Sequence, residues 1–388
     1  MLGLSAKAWH SSIVIGFFFV SSSQAFARTV VVAHAANFSN LSKSAINPYN
    51  DAVRNGLDFA ITTSATELKK KDVTIQIQDV DYGNSELNAI EAANAIVKSP
   101  AVAAIGFYES GQSLLGSPVL EKSHVPLISP MSSATRLFDQ SDYFHPMSFS
   151  NAVMGRALAN FASSTLKAKR VLVVAAADCA YCADLAKAFV EVAEKNGIRV
   201  TQKSVVNDQT DLTSLGSDLK GEKFDVIVVP NHELTSARII SYLLSLGLRV
   251  PYLGGDGWGN AAGTGFFRIV EDPKFEGYCI GHWHPDLLTP AGKTFVSAWK
   301  KKYGTFPTAD SAMAYDSMML LISALNSADE LSREGVQRSL AAVKNYQGAT
   351  GNLTFVGKGA APKKDVIVLK SDMKSKAFVA TRFFRVKD

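Results

Sequence analysis

The chain has 388 residues, with 40 Lys and Arg side chains against 35 Asp and Glu, which gives a mild formal net charge of +5. Its basic residues are scattered apart from short lysine runs at 69–71 and 300–302, so the composition argues against a nucleic-acid-binding protein. The chain is too long for one typical hydrophobic core, and its length therefore predicts two domains.

The first residues have the pattern of a secretion signal. Lys7 gives a positive start, residues 12–20 are apolar, and Ala25-Phe26-Ala27 matches a cleavage motif. The apolar run is too short to cross a bilayer, and no later segment is apolar enough to do so. We therefore expect cleavage after Ala27 and a soluble protein exported to the periplasm.

Strands and helices alternate along most of the remaining chain. Apolar stretches and helical periodicity predict strands at 29–36, 73–80, 102–107 and 125–129, and helices at 51–66, 85–97 and 113–123. After a crossing segment at 143–149 the pattern restarts, with helices at 152–165, 182–195, 212–220 and 235–246 and strands at 170–176, 199–206, 224–229 and 252–254. A second crossing at 276–284 is followed by helices at 290–302, 311–325 and 334–343 and strands at 352–355, 365–369 and 378–386. This order predicts an α/β fold with two doubly wound parallel-sheet lobes joined by a hinge of several strands.

Polar side chains follow two neighbouring strands of the first predicted sheet. Strand 102–107 leads into residues 109–113 (ESGQS), and strand 125–129 leads into residues 129–133 (SPMSS). The carboxyl ends of neighbouring parallel strands form a crevice where ligands bind, and hydroxyls beside a helix start suit an anionic or polar small ligand. Each serine could instead be a helix N-cap. No nucleophile, base and acid accompany them, so we expect a binding protein rather than an enzyme.

Several short motifs together resemble those of a known family. They are VPLISP (125–130), GGDGWGN (254–260), YGTFP (303–307), AYD (314–316) and GATG (348–351), the last leading to Phe355. In this order the motifs resemble the type I periplasmic solute-binding proteins, most closely the Leu/Ile/Val-binding branch that serves ABC importers. The resemblance implies a first lobe of 28–147 plus 283–346 and a second lobe of 148–282 plus 347–388.

The resemblance also implies where a ligand is held. In that family, first-lobe hydroxyls and N–H groups hold the ligand's carboxylate, while a second-lobe acid holds its ammonium group and aromatic rings cover it. The matching first-lobe positions are Ser110, Gln112, Ser113, Ser132 and Ser133. On the second lobe the acid falls on Asp256, the covering Tyr on Tyr181 and a second family Tyr near Asn231 or His232, while Trp258 could close the pocket instead. Phe38 or Tyr49, in a long first loop, could add a ring.

Asp256 is the polar residue on which this interpretation depends. A carboxylate in a cleft loses its hydration and is costly unless a cation pairs with it, so a Gly-rich loop with one acid suits a cationic ligand group. The alternative is a turn aspartate that stabilises its own backbone. Tyr181 and Trp258 would offer flat rings with polar tips, but either could equally belong to the core of the lobe.

The cysteines and two histidines allow other kinds of site. Cys179 and Cys182 form a Cys-x-x-Cys at a predicted helix start, which in an exported protein favours a structural disulfide beside the pocket over a thioredoxin-like redox centre. Cys279 is then expected to be free and buried. Alternation along a strand places Cys279 opposite His282 and His284, so these metal-ligand types, with Asp286, do not converge, and we expect no metal and no cofactor. We expect His282 or His284 to reach the cleft from the hinge instead.

The residues and the resemblance together predict a monomeric substrate-binding subunit of an ABC importer. It would capture an amino acid or a related small amine-bearing solute by hinge closure and deliver it to the permease subunits in the membrane. Three alternatives stay open: a periplasmic sensor or adaptor of the same fold, a thiol–disulfide protein that uses Cys179 and Cys182, and a carrier of a ligand without an ammonium group.

Overall fold

The computed structural model of the chain describes residues 27–38, 48–83, 85–207, 211–259, 265–286, 289–355, 362, 364 and 366–384. The predicted secretion signal, apart from Ala27, lies outside the described residues, and so does the side chain of Tyr49. Within the described parts of the chain, no helix is both long enough and apolar enough to cross a membrane.

Five parallel strands form the first sheet, in the order β2-β1-β3-β4-β5. They are β1 (Arg28–Ala36), β2 (Val73–Asp81), β3 (Ala103–Gly106), β4 (Leu127–Ser129) and β5 (Phe144–Pro146). Every residue of the central strands β3 and β4 is buried, as expected where helices cover both faces of a sheet. The strand order reverses between β1 and β3, and the carboxyl ends of these two strands therefore border a crevice in which ligands bind in such folds.

The second sheet has seven strands, in the order β14-β13-β10-β9-β8-β6-β7. They are β6 (Arg170–Ala176), β7 (Arg199–Val205), β8 (Val226–Val228), β9 (Tyr252–Gly254), β10 (Gly277–Gly281), β13 (Val366–Asp372) and β14 (Ala377–Phe384), while β11 (Tyr346–Gly348) and β12 (Gly351–Leu353) form a separate hairpin. The strands from β6 to β10 pair in parallel, but β13 pairs antiparallel with both β10 and β14. The second lobe is thus a doubly wound parallel sheet with an antiparallel edge, because a short turn joins β13 to β14 directly.

Helices cover both sheets. They are α1 (Pro48–Thr63), α2 (Ala65–Lys70), α3 (Asn88–Lys98), α4 (Ser110–Lys122), α5 (Leu137–Gln140), α6 (Asn151–Ser164), α7 (Ala180–Lys195), α8 (Thr213–Asp218), α9 (Glu233–Ser245), α10 (Phe266–Ile269), α11 (Pro290–Tyr303), α12 (Ala309–Ser327) and α13 (Arg333–Ala341). In α1, Val53, Leu57 and Ala60 recur at helical spacing and are buried in one apolar cluster with residues of α12. Helices α11 to α13 thereby return to the first lobe.

The chain crosses between the lobes three times, after β5, after β10 and after the β11–β12 hairpin. Trp283 packs in an apolar cluster with Phe59 of the first lobe, so the second crossing ends near residue 283. Leu353 and Phe355 belong to the apolar cluster of the first sheet, which also contains Val30. The third crossing therefore follows Phe355, later than the boundary at 346 and 347 that we predicted, because the apolar residues of the hairpin are buried in the first lobe.

A sharp turn at the carboxyl end of β3 positions the start of α4. Gly106 has φ +143° and Phe107 has φ +47°. The carbonyl of Phe107 accepts hydrogen bonds from the hydroxyls of Ser113, Ser129 and Ser132 at 2.7, 3.2 and 2.6 Å. Three buried hydroxyls thus hold a backbone conformation that bulky residues rarely adopt. Because α4 begins directly after this turn, residues 110–113 form the first turn of a helix and not the loop that we predicted.

We expect the protein to lose stability between pH 6.5 and 4 through His145 of β5. Its Nε2 lies 2.8 Å from Oε1 of Gln337, and burial lowers the pKa of His145 from 6.5 to about 4. The unfolded chain therefore binds more protons than the folded protein in this range, and the free energy of unfolding falls by up to about 3 kcal/mol as the pH drops through it. Urea unfolding of the unmodified protein and His145→Gln at pH 7 and 4.5 checks this.

The His145→Gln variant should lose less stability on acidification than the unmodified protein. An equal acid-induced loss in the unmodified protein and in His145→Gln would contradict the assignment to His145.

Candidate functional site

A cavity of ≈ 130 Å³ lies between the two lobes and is lined by side chains of both. The first lobe contributes Tyr108, Glu109, Ser110, Met131 and Ser133, and the second contributes Tyr181, His232, Asp256 and Gly257. The structure thus brings together Ser110, Ser133, Tyr181, His232 and Asp256 of the residues predicted from sequence. It leaves Gln112, Ser113, Ser132 and Trp258 outside the lining.

Two serine hydroxyls of the first lobe are available to a ligand. Oγ of Ser110 accepts hydrogen bonds from the backbone N–H groups of Ser133 (3.2 Å) and Ala134 (3.0 Å), and its own hydrogen is donated to no described residue. The hydroxyl of Ser133 makes no hydrogen bond to any described residue. Ser110 is also the first residue of α4, where backbone N–H groups have no partners within the helix. This corner of the cavity is therefore suited to an anionic group.

Ser113 and Ser132 have a structural role that sequence alone did not reveal. Their hydroxyls lie 2.7 Å apart, and both donate to the carbonyl of Phe107 at the end of β3. The prediction that they line the ligand site is wrong, because the sharp turn at Phe107 occupies their hydroxyls. Gln112 is also buried outside the cavity, and its Oε1 has no hydrogen-bond partner among the described residues.

Glu109 is a lining residue that our sequence reasoning did not select. It is the N-cap residue of α4, and its Oε2 accepts a hydrogen bond from the hydroxyl of Tyr82 at 2.5 Å. The sequence did contain an indication of this role, because Glu109 directly precedes the polar residues that follow β3. The cavity therefore has a carboxylate on each lobe, Glu109 on the first and Asp256 on the second.

Asp256 opens a short 3₁₀ turn (Asp256–Trp258) after β9, at the carboxyl edge of the second sheet. Its Oδ2 lies 2.8 Å from Nε2 of His282, and its Oδ1 is buried with no hydrogen-bond partner among the described residues. Burial alone would raise the pKa of Asp256, but the hydrogen bond and positive charge of His282, aided by the Tyr181 hydroxyl, lower it below its ordinary value. Asp256 is therefore a charged carboxylate with one oxygen held and the other available.

His282 lies directly after β10 and contacts Asp256, but it is not among the residues that line the cavity. Its side chain is only 2% exposed, and its ring lies 4.2 Å from that of Phe149, measured between centroids. The sequence did not reveal that Asp256 is its partner, because the two residues meet only when β9 and β10 pair.

Tyr181 and His232 form the second-lobe wall beside Asp256. Their rings stack with centroids 5.0 Å apart, and the Tyr181 hydroxyl accepts a hydrogen bond from the N–H of Gly257 at 3.1 Å. Burial, with the nearby charge of Asp256, raises the pKa of Tyr181 well above its usual range, so the phenol stays neutral. A Cβ on Gly255 would lie 2.2 Å from the Tyr181 hydroxyl, which explains a glycine at this position.

Trp258 lies in the core of the second lobe, and the prediction that it closes the pocket is wrong. Its indole is 0% exposed, its Nε1 donates to the carbonyl of Val229 at 2.9 Å, and its ring packs against Phe266 and Phe378. The 3₁₀ turn that places Asp256 at the cavity directs the side chain of Trp258, two residues later, into the core of the lobe. Phe38 lies outside the cavity lining as well, with its ring beside that of His34.

The predicted disulfide between Cys179 and Cys182 is confirmed, and Cys279 is free and buried as expected. The disulfide closes the first turn of α7 around Tyr181. Both of its cysteines are buried, which disfavours thiol exchange with another protein. Within the described parts of the chain, one group of potential metal ligands has its ligand atoms within 4.8 Å of one another, and it consists of Cys179, Cys182 and His232. The sulfur atoms of the two cysteines in this group are joined in the disulfide.

The chain has relatives along nearly its whole length. Residues 41–377 match the family model of the periplasmic binding proteins. The chain is similar to Leu/Ile/Val-binding protein homolog 3 of Brucella melitensis, with 24% identity over 361 residues that cover 89% of this chain and 95% of that protein.

Three solved structures show the same two-lobed fold. The first is a leucine binding protein of Thermotoga maritima, with a TM-score of 0.81, 22% identity and coverage of 92% of this chain and 99% of that one. The second is a branched-chain amino acid transporter substrate binding protein of Streptococcus pneumoniae in complex with isoleucine (TM-score 0.79, 23% identity, 92% and 100% coverage). The third is a solute binding protein of R. palustris in complex with benzoate (TM-score 0.77, 16% identity, 92% and 96% coverage). These likenesses extend over both lobes.

Proposed function

We propose that this chain, which belongs to the type I periplasmic binding proteins of the branched-chain amino acid family, captures an amino acid or a related small amine-bearing solute between its lobes. The observation that carries the proposal is Asp256, a buried carboxylate that lines the cavity and has one oxygen without a partner among the described residues. A cationic group of a ligand would satisfy that oxygen. Glu109 across the cavity adds a second negative charge and favours the same kind of ligand.

Beside Glu109, the first lobe also supplies hydrogen-bond donors. The hydroxyls of Ser110 and Ser133 and the N–H groups at the start of α4 suit a carboxylate. A ligand with an ammonium group and a carboxylate on one carbon could place its carboxylate at these donors and its ammonium group at Asp256 on the second lobe. Tyr181 and His232 would cover it with their stacked rings. The similarity to a Leu/Ile/Val-binding protein homolog and to a substrate binding protein in complex with isoleucine supports this choice.

Capture would proceed by hinge closure, and delivery would follow. A ligand can favour the closed arrangement only through contacts that it makes with both lobes, and here those contacts are the serines on one side and Asp256 on the other. The closed protein would then present its ligand to the permease subunits of an ABC importer. We propose that the chain acts in the periplasm after cleavage of its signal behind Ala27, as a monomer.

Calorimetry on ligand-free protein tests the proposal. The protein is unfolded in denaturant, dialysed to remove any retained solute and refolded, and is then titrated with a panel of amino acids. We expect saturable heat from at least one member of the panel. If refolded protein with its disulfide intact gives no heat with any of them, the proposed ligand class is wrong.

Ser133 and Ser132 are neighbours for which we expect opposite effects. Ser133→Ala removes a cavity hydroxyl without a structural partner and should weaken amino-acid binding about tenfold with little change in stability. Ser132→Ala removes a hydrogen bond to the Phe107 carbonyl and should lower the free energy of unfolding by about 1 kcal/mol while changing affinity little. Calorimetry and urea unfolding of both variants check this, and equal effects on affinity would contradict the assignment of Ser133 to the ligand.

A further inference from the structure

A second cavity, of ≈ 360 Å³, adjoins the first at the hinge. Met131 and Asp256 line both cavities, so the two spaces meet at the side chain to which we assign the ligand's ammonium group. We call this second space the hinge cavity. At ≈ 360 Å³ against ≈ 130 Å³, it is the larger of the two, and the function proposed above does not account for it.

Its walls come from three segments of the chain that belong to both lobes, and most of their side chains are apolar. The end of β10 supplies Ile280 and Trp283, the connection between α11 and α12 supplies Phe306 and Pro307, and the last two strands supply Leu369 and Phe378. Phe306 is 55% exposed, and Nζ of Lys300 lies 4.1 Å from the centroid of its ring. Flat rings and prolines make a lining that suits an aromatic occupant, since rings pack well at edge-to-face and offset geometries.

Two ring nitrogens in the lining residues have no partner. Nε1 of Trp283 and Nδ1 of His282 are buried, and neither makes a hydrogen bond to any described residue. Buried polar atoms are nearly always hydrogen-bonded, and an exception calls for an explanation. An occupant of the hinge cavity that carries an oxygen could accept a hydrogen bond from Nε1 of Trp283 after a small movement of that ring.

We infer that the hinge cavity holds the side chain of the ligand, and that the preferred ligands are amino acids with a large aromatic side chain. This inference rests on the proposed function, because it places the amino and carboxylate groups between Asp256 and the serines of the first cavity. The side chain then extends past Met131 and Asp256 into the hinge cavity. Small aliphatic amino acids would leave that space without an apolar occupant and would bind more weakly.

Calorimetry with the refolded, ligand-free protein tests the inference, using alanine, valine, phenylalanine, tyrosine and tryptophan as probes. We expect at least one aromatic member to bind about tenfold or more tightly than alanine. Ala309→Leu adds bulk to the wall of the hinge cavity and should reduce the affinity for that aromatic member about tenfold, with little change for alanine. The exposed Ala341, at the end of α13, provides the matched control Ala341→Leu, which should change neither affinity.

The outcomes separate the inference from the proposed function. Heat with amino acids whose affinities do not depend on side-chain size, or unchanged aromatic binding in Ala309→Leu, overturns the inference and leaves the proposed function standing. Absence of heat with every amino acid overturns both. Should Ala309→Leu fail to fold, as judged by circular dichroism, Ala377→Leu replaces it, since Ala377 at the start of β14 lines the same cavity, and the same loss is expected for the aromatic member.

Discussion

Asp256→Asn should weaken the binding of an amino acid by about 100-fold or more. The substitution removes the one carboxylate that the described residues of the second lobe contribute to the cavity lining. The asparagine has the same shape and keeps an oxygen that can accept from Nε2 of His282, so the fold should be retained. What disappears is the negative charge that offsets a desolvated ammonium group. Titration calorimetry of the variant with the best-binding member of the amino-acid panel measures the loss.

The exposed Asp139 of α5 supplies a control of the same chemistry at a distance from the cavity. Asp139→Asn should leave affinity unchanged, and thermal unfolding should show all three proteins folded. An Asp256→Asn variant that keeps its affinity within a few-fold would mean that the ligand carries no ammonium group at this position. The family fold would stand in that case, and the proposed ligand class would not.

The order of strands and helices was accessible from sequence because apolar periodicity is local. The short buried stretches around β3 and β4 and the polar residues after them predicted a crevice at the right edge of the first sheet. The choice among the serines there was not accessible. Ser110, Ser113, Ser132 and Ser133 look alike in sequence, and the turn at Phe107, whose carbonyl takes up two of their hydroxyls, decides which remain free for a ligand.

The second-lobe side of the site depended on contacts between distant residues. The Gly-rich loop after β9 correctly marked Asp256 as an acid at the cavity. Its partner His282 could be expected only to reach the cleft, since the pairing of β9 with β10 brings the two together. Trp258, two residues after Asp256, was assigned to the pocket by proximity in sequence, but the intervening 3₁₀ turn directs its ring into the core.

Gly106→Ala should destabilise the first lobe by about 3 kcal/mol or more, through two effects that add at one position. The φ of +143° is one that residues with a Cβ rarely adopt, and the new Cβ would lie 2.1 Å from the carbonyl oxygen of Ala35 on β1. That oxygen also accepts the hydrogen bond from the N–H of Phe107, so relief of the overlap requires β1 and β3 to separate. Urea unfolding, followed by circular dichroism, measures the loss.

Gly197, which follows α7, separates the two effects. Its φ is +77°, and a Cβ there would have no atom within 4 Å, so Gly197→Ala carries the backbone cost alone and should lower the free energy of unfolding by only about 1 kcal/mol. The remainder at Gly106 comes from the steric overlap and from a φ that lies further from the left-handed region open to residues with a Cβ. Because the turn at Gly106 and Phe107 also places Glu109 and Ser110 in the cavity, Gly106→Ala should weaken ligand binding, whereas Gly197→Ala should not. Equal losses of stability in the two variants would show that the Ala35 carbonyl can move away at little cost, and that the turn at the end of β3 does not fix the position of the site.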